Sequence, residues 1–190
     1  MKKILVTGGA GYIGSVMVEL LLNEGHDVTV VDRFFFGPTL AELQENPHLH
    51  LVKDDIRWMD SSILKGMDVV IDLAALSNDP AGELDPEKTL SINHKGRARV
   101  AEMAKQVGVP RYILASSCSI YGFQEGVLDE TSDVNPLTTY AEANYKAEQD
   151  VLPLADDDFC VTVLRQATVY GPSKRMRFDL AVNGMTLGLF

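Results

Sequence analysis

Short apolar runs alternate with longer amphipathic segments along the whole chain. Runs in which almost every position is apolar predict buried strands over 3–7, 27–31, 49–52, 68–73, 112–115 and 159–164. Apolar positions spaced three and four residues apart predict helices over 11–23, 39–44, 86–106 and 139–152, and a further short helix is expected after Asp60. Strands that alternate with helices predict an α/β fold, a doubly wound parallel sheet with helices on both faces.

Composition limits the class of protein. With 46% apolar and 23% charged residues, the 190-residue chain can form one domain with its own core and is too apolar for a disordered protein. No apolar stretch approaches the ~18 residues of a membrane span, and the short run after Lys2 and Lys3 does not have the pattern of a signal peptide. A formal net charge of −10 argues against nucleic acid or an anionic membrane as a partner.

The two cysteines, Cys118 and Cys160, are far apart in the sequence. Their spacing is not that of metal ligands, so no metal site is predicted. Two isolated cysteines in a chain of this size are typical of reduced thiols, so a cytoplasmic location is expected.

A glycine-rich loop connects the first predicted strand to the first predicted helix. Gly8 permits a tight turn, Gly11 lets a diphosphate approach the backbone, and Gly14 lets the helix pack close to the strand. The N-terminus of that helix offers free N–H groups and a partial positive charge to phosphates. The loop therefore predicts a dinucleotide site of Rossmann type that includes Tyr12 and Ile13, although a plain turn is the alternative.

Acidic residues follow the second and third predicted strands. A carboxylate at Asp32 can accept hydrogen bonds from both ribose hydroxyls of adenosine and would repel a 2′-phosphate, so NAD is expected rather than NADP. Arg33, the next residue, could weaken this preference for NAD over NADP. Asp55, with Ile56, is placed to reach the adenine amino group. The alternative is that Asp55 is an acidic loop residue with no role in binding.

Together with further segments, this loop resembles the extended short-chain dehydrogenase/reductase family, which includes nucleotide-sugar epimerases and dehydratases. The resemblance rests on the spacing Gly8-x-x-Gly11-x-x-Gly14 and on four later segments: Leu73-Ala74-Ala75, Asn93, the run from Ser116 to Gly122, and Tyr140 after Pro136. It implies that Leu73, Ala74, Ala75, Asn93 and Ser116 contribute to the cofactor site.

The resemblance also implies the chemistry. Ser117 would hydrogen-bond the substrate hydroxyl, and Tyr140 would act as acid and base beside the cofactor. NAD would exchange a hydride with a sugar carbon of a nucleotide-diphosphate sugar. A tyrosine phenol, with an ordinary pKa near ~10, needs a positive neighbour to act as a base near neutral pH. The family also often forms homodimers through its two long helices, so a homodimer is expected.

The chain departs from the family pattern at several positions. Asn144 stands where the family's Tyr-x-x-x-Lys motif has its lysine, so Asn144 is the third predicted catalytic position and a lysine there is expected to raise activity. Lys146 cannot simply replace it, because two further residues rotate a helix by roughly 200°. Cys118 and Ser119 stand where the sugar dehydratases have an Asp-Glu pair, which favours epimerisation or simple redox chemistry. Thr168 replaces an asparagine often found in the epimerases.

Family members are usually longer than this chain. We therefore expect an NAD-binding domain over 1–172 and, over 173–190, the start of a substrate-binding part whose remainder is missing. Arg175 and Arg177 lie where they could meet a substrate diphosphate, although solvated arginines are the alternative.

Three functions stay open from the sequence. The first is an NAD-dependent epimerase or oxidoreductase acting on a nucleotide-diphosphate sugar. The second, motivated by Asn144, is a catalytically impaired NAD-binding protein with a sensing or scaffolding role. The third, a methyltransferase-type nucleotide site, is disfavoured by the Ser117 and Tyr140 segments.

Overall fold

The computed structural model describes residues 1–77 and 79–189. Its strands are β1 (Lys3–Thr7), β2 (Asp27–Asp32), β3 (Leu49–Lys53), β4 (Val69–Asp72), β5 (Arg111–Ser117) and β6 (Cys160–Gln166). They pair in parallel in the order β3-β2-β1-β4-β5-β6. This is the strand order of the Rossmann fold, and it confirms the predicted doubly wound α/β architecture.

Helices connect the strands. They are α1 (Tyr12–Asn23), α2 (Asp79–Leu84), α3 (Pro86–Leu90), α4 (Arg97–Gln106), α5 (Thr139–Val151) and α6 (Ala181–Leu187). Single 3₁₀ turns occur at Ala41–Leu43, Ser61–Leu64, Cys118–Tyr121 and Leu152–Leu154, so the helix predicted over 39–44 is only a short turn. The structure adds α2 and α6, which the sequence did not predict. Within 1–77 and 79–189, no helix has the length and apolar character needed to cross a membrane.

The single helix predicted over 86–106 is divided into three parts. A π-helical segment, Ser91–Gly96, separates α3 from α4. Asn93 is buried in this segment, and its amide both donates to the Leu76 carbonyl (2.9 Å) and accepts from the Leu76 N–H (2.8 Å). The segment is thereby fixed to the loop that follows β4, which is consistent with the tendency of π-helical turns to occur at functional sites.

The two faces of the sheet carry separate apolar clusters. Ile4 and Val6 of β1 point to one face, where Val18 of α1 covers them, and Leu5 points to the other face. That second face is covered by α4 and α5 through residues such as Val100 and Ala147. Alternation along β1 therefore buries the strand on both sides, as expected for a central parallel strand.

The strand order reverses between β1 and β4. The connection from β1 leads to β2 on one side, whereas β4 leads to β5 on the other. In open α/β sheets, ligands bind outside the carboxyl ends of the strands at such a switch point. The glycine loop after β1 and the segment after β4 meet there, and α5 packs against β5 and the turn that follows it.

Candidate active site

The glycine loop is held by close backbone contacts. Gly8 has φ +68, a left-handed conformation, and a Cβ there would lie 2.8 Å from the Ala74 nitrogen. A Cβ on Gly14 would lie 2.3 Å from the Gly8 carbonyl oxygen, so only glycine fits where α1 meets the loop. A Cβ on Gly11 would meet only that same oxygen, at 3.1 Å. Gly11 therefore borders open space rather than packed backbone, which leaves room for a bound group.

The first turn of α1 presents its backbone donors to that space. Gly11 is the N-cap, and no side chain caps the helix. The first turn also contains no acidic residue, so nothing in it opposes an anion. Free N–H groups and the helix dipole together make this end of α1 suitable for a diphosphate.

Asp32 lies at the end of β2, across from the glycine loop. Its carboxylate accepts hydrogen bonds from the backbone N–H of Ala10 (3.0 Å) and of Phe34 (2.7 Å). Each carboxylate oxygen receives one of these bonds and keeps a further acceptor site. The carboxylate is therefore fixed in position and can still accept from a pair of ribose hydroxyls.

Asp55 is more heavily engaged than the sequence suggested. Its carboxylate is buried and accepts from the Arg57 Nε (2.9 Å) and Nη2 (2.7 Å) and from the Arg33 Nη1 (2.8 Å). The hydrogen bonds from Arg57, reinforced by Arg33, hold the pKa of Asp55 well below its usual range despite its burial. Asp55 is thus an ionised anchor for two arginines, and contact with adenine stays a prediction for it and for Ile56, whose side chain is buried.

The segment after β4 is tied to β1 and to the π-helical turn. The Leu73 N–H donates to the Thr7 carbonyl (3.1 Å), and the Ala74 N–H donates to the Thr7 hydroxyl (3.2 Å). Two residues after Ala74, the backbone N–H and carbonyl of Leu76 both hydrogen-bond to the side-chain amide of Asn93. Asn93 therefore positions the segment over Leu73, Ala74 and Ala75, and its own amide is used in doing so.

Ser116 and Ser117 point in different directions at the end of β5. Ser116 is buried and its hydroxyl donates to Glu148, which Arg165 also contacts at 2.8 Å. Ser117 is only half-buried, and its oxygen accepts from the N–H (3.1 Å) and the hydroxyl (2.9 Å) of Ser119. Because both lone pairs of the Ser117 oxygen are used, its remaining capacity is to donate a hydrogen bond.

Tyr140 is half-buried in the first turn of α5, which Thr138 caps by accepting from the Ala141 N–H (3.1 Å). One turn later, Asn144 is fully inside the protein. Its Oδ1 accepts from the Arg97 Nη1 (2.8 Å), and its Nδ2 donates to the Tyr140 carbonyl (2.9 Å). Lys146 is paired with Glu142 (2.6 Å) on the exposed side of α5, which agrees with the helical rotation expected for it.

A buried polar cluster beneath Tyr140 was not predicted. Its members are Arg97, Asp72, Tyr112 and Thr7, all of which are buried. Tyr112 and Thr7 donate their hydroxyls to the Asp72 carboxylate. Burial, and then the charge of Asp72, raise the pKa of Tyr112 well above its ordinary value, so its hydroxyl stays protonated and donates. Arg97 follows Asn93 by one helical turn. In the sequence, these two polar residues on an otherwise apolar helix face were the signal that could have predicted a buried polar cluster.

The chain after β6 returns to the glycine loop. The Tyr12 hydroxyl donates to the Gly171 carbonyl (2.7 Å) and accepts from the Asn183 amide (2.9 Å), while the Ser173 hydroxyl donates to the Tyr12 carbonyl (2.7 Å). Arg177 is buried and donates to the Ser77 carbonyl (3.1 Å). Tyr12 therefore links the glycine loop to Gly171, Ser173 and Asn183, and the sequence did not indicate these contacts.

The comparisons with known proteins agree with this geometry. The model of the NAD dependent epimerase/dehydratase family matches residues 4–187. Among curated proteins, the uncharacterized UDP-glucose epimerase YtcB of Bacillus subtilis is 31% identical over an alignment of 194 positions, gaps included, which covers 94% of this chain and 60% of that protein.

Solved structures give the same result. MoeE5 in complex with UDP-glucuronic acid and NAD superimposes with a TM-score of 0.85 at 34% identity, covering 96% of this chain and 59% of that one. UDP-glucuronic acid 4-epimerase from Bacillus cereus, in complex with UDP-glucuronic acid and NAD, superimposes with a TM-score of 0.84 at 30% identity, covering 95% and 60%. The chain thus spans about 60% of the length of these proteins.

Proposed function

This chain belongs to the NAD-dependent epimerase/dehydratase family, and we propose that it binds NAD at the switch point between β1 and β4 and uses it to act on a nucleotide-diphosphate sugar. The observation that carries the proposal is the convergence on one sheet edge of a glycine loop open at Gly11, the fixed carboxylate of Asp32, and the hydroxyl-bearing residues Ser117 and Tyr140.

The residues at this edge fit the cofactor. The open backbone at Gly11 and the uncapped N-terminus of α1 would hold the diphosphate, and Asp32 would hold the adenosine ribose. A phosphate on that ribose would meet the negative charge of Asp32, which supports NAD rather than NADP. When bound, NAD supplies a hydride acceptor and donor for a sugar carbon.

Ser117 and Tyr140 would handle the proton of the reacting sugar hydroxyl. Tyr140 would accept that proton when the carbon is oxidised and return it when the carbon is reduced. Ser117, which has only a donor left, would donate its hydrogen bond to the same sugar oxygen and hold it near Tyr140. A hydroxyl that donates favours the state in which negative charge develops on that oxygen.

A UDP-sugar is the substrate class that the relatives support, because the solved structures described above contain UDP-glucuronic acid. Epimerisation or simple redox chemistry is favoured over 4,6-dehydration, since neither Cys118 nor Ser119 has a carboxylate that could remove water. A homodimer and a cytoplasmic location stay predictions of the sequence, as does the division of the chain at 172.

A second candidate function is an NAD-binding protein with little catalysis. The specific observation in its favour is that Asn144 is neutral and buried, with its amide bound to Arg97 and to the Tyr140 carbonyl. Asn144 therefore offers no charge to the cofactor cleft. In this case NAD would act as a structural or sensed ligand.

One experiment separates the two candidates. NAD affinity is measured by calorimetry. Transient NADH is followed at 340 nm in single-turnover mixing with UDP-glucuronic acid and UDP-glucose, and the sugar products are separated by chromatography. Each measurement is made in the parent protein and in Tyr140→Phe, Ser117→Ala and the control Tyr145→Phe on the same helix. We expect Tyr140→Phe to lower the rate by about 100-fold or more, with NAD affinity retained, and the control to match the parent. NAD binding with neither transient NADH nor a changed sugar would favour the second candidate, and full activity in Tyr140→Phe would contradict the assigned role.

A further inference from the structure

A fully buried arginine lies beneath the predicted catalytic tyrosine. Arg97 is the first residue of α4, and its side chain is 1% exposed. Its guanidinium donates to the carbonyls of Asp72 (3.1 Å) and Ala115 (2.5 Å), which lie near the ends of β4 and β5, and to Asn144. We propose that Arg97 supplies to Tyr140, from α4, the positive charge that the Tyr-x-x-x-Lys motif would place at position 144 of α5.

Asn144 is the link between the cation and the tyrosine. It lies one turn after Tyr140, where side chains on a helix are neighbours with Cβ atoms about 5–6 Å apart. Its carbonyl oxygen accepts from Arg97 and its amide nitrogen donates to the Tyr140 backbone. The neutral carbonyl oxygen of Asn144 can accept a hydrogen bond from the Arg97 guanidinium. A lysine at position 144 would instead place a second positive charge next to Arg97.

The charge of Arg97 is only partly balanced. Asp72 is the nearest carboxylate, 3.6 Å from the Arg97 Nε, and it offsets part of the charge of Arg97; its oxygens also accept from the hydroxyls of Thr7 and Tyr112. The Nε of Arg97 is a buried side-chain nitrogen for which the described part of the chain provides no hydrogen-bond partner. The hydrogen bonds of the guanidinium thus go to neutral acceptors, while Asp72 is an ion-pair partner at a longer distance. A buried charge acts over a longer range than a charge at the surface.

In the described part of the chain, several charged groups lie on the elements around α5. Glu83 of α2 accepts from the Thr139 N–H (2.6 Å), directly before Tyr140. Asp72 faces Arg97 from β4, and Glu142 and Lys146 pair with each other on the exposed side of α5. Glu148, one turn after Asn144, is buried and paired with Arg165 (2.8 Å). Glu83 and Asp72 are negative and oppose a phenolate at Tyr140, whereas the buried cation of Arg97 favours one.

Arg97 is a positioning residue in this proposal, because it touches Asn144 and backbone rather than substrate or cofactor. The proposal rests on the proposed function, in which Tyr140 is the acid and base. A unit charge on the order of 10 Å from the phenol, at an effective dielectric constant near 20, corresponds to a shift of about one pH unit in phenolate formation.

The test measures phenolate formation directly and needs neither NAD nor substrate. Absorbance at 295 nm is titrated with pH in the parent protein, in Arg97→Met and in Arg99→Met, each compared with the same protein carrying Tyr140→Phe so that one tyrosine is isolated. Arg99 is a matched control because it is on the same helix but donates to the Met59 and Ile56 carbonyls, away from α5. Circular dichroism at each pH confirms that the fold persists.

We expect the midpoint of the Tyr140 signal to rise by about one pH unit in Arg97→Met and to stay at the parent value in Arg99→Met. An unchanged midpoint in Arg97→Met overturns the proposal. If Arg97→Met does not fold, the double variant Arg97→Met/Asn144→Lys moves the cation to position 144. That variant should fold and keep the midpoint of the parent, and a midpoint raised by a full unit there would equally overturn the proposal.

Turnover separates this inference from the proposed function. Where the parent forms NADH, we expect Arg97→Met to lower the rate at least tenfold while NAD affinity changes less than threefold, because the guanidinium is buried away from the cleft. A shifted midpoint in a parent that binds no NAD would leave the inference standing and the proposed function refuted. Turnover of a UDP-sugar together with an unchanged Tyr140 midpoint in Arg97→Met would overturn the inference and support the proposed function.

Discussion

Replacing Asn144 by lysine is the perturbation that most sharply separates the structure from the family motif. The motif alone predicts a gain of activity, because it restores the expected lysine. In the structure, the Asn144 Oδ1 lies 2.8 Å from the Arg97 Nη1 and both side chains are buried, so a lysine at this position would add a second cation beside a buried guanidinium. Two like charges about 4 Å apart repel by about 4 kcal/mol at an effective dielectric constant of 20.

That repulsion is large beside the total stability of about 5–15 kcal/mol typical of a domain. We therefore expect urea denaturation to show a loss on the order of 4 kcal/mol in Asn144→Lys, together with lower NADH formation. The neutral variant Asn144→Leu removes the same acceptor without adding charge and should lose only about 1–3 kcal/mol. An Asn144→Lys protein as stable as its parent, or more active with Arg97 intact, would refute the reasoning.

Four further predictions concern the nucleotide site and its surroundings. Gly14→Ala should lower the free energy of unfolding by about 1–3 kcal/mol or more, since its Cβ would lie 2.3 Å from the Gly8 carbonyl oxygen. Gly11→Val should instead keep the far-ultraviolet circular dichroism and lose NAD binding in calorimetry; retained affinity would mean that the diphosphate lies elsewhere. Asp32→Ala should narrow the difference between the NAD and NADP dissociation constants, and an unchanged ratio would remove Asp32 from the ribose site. Asp55 has a lowered pKa in the fold, so its stabilising effect is complete above its unfolded pKa of about 4 and is lost as pH falls below that value. The stability difference between parent and Asp55→Asn should accordingly shrink below about pH 4 in urea denaturation, and a difference constant down to pH 2 would contradict the cause given for the shift.

The layout of the sheet was predictable because its strands are buried on both faces. In β1, every position from Ile4 to Thr7 is buried, and such a run has no polar alternation to confuse with a surface strand. The glycine loop was equally predictable from the sequence. The left-handed conformation at Gly8 and the close approach of the Gly8 carbonyl to Gly14 each admit only glycine. These requirements act within a few residues of each other along the chain.

The interruption of the helix over 86–106 was not predictable from apolar spacing. The π-helical segment Ser91–Gly96 coincides with a long-range contact between Asn93 and the Leu76 backbone, and the spacing of apolar residues along the helix does not indicate such a contact. Helix α2 is short and draws its packing from the start of α5, where a Cβ on Gly82 would lie 3.3 Å from that of Tyr140. Tertiary contacts of this kind leave no local pattern.

The candidate site was predictable where a role belongs to one residue and not where it depends on a partner. Asp32 and Ser117 lie at strand ends, where a parallel sheet gathers its functional side chains. The engagement of Asp55 by Arg57, and of Asn144 by Arg97, depends on pairs that only the fold brings together. The sequence therefore identified Asn144 as a departure from the family without showing the cation that faces it.

Calorimetric titration of the 190-residue chain with NAD, beside an identical titration with NADP, tests the central claim most directly. The structure places the glycine loop, the N-terminus of α1 and Asp32 within this chain. We predict a single saturable NAD site with affinity at least several-fold higher than that for NADP, because a 2′-phosphate would face the Asp32 carboxylate. Absence of saturable NAD binding, or equal affinity for the two dinucleotides, would contradict the account.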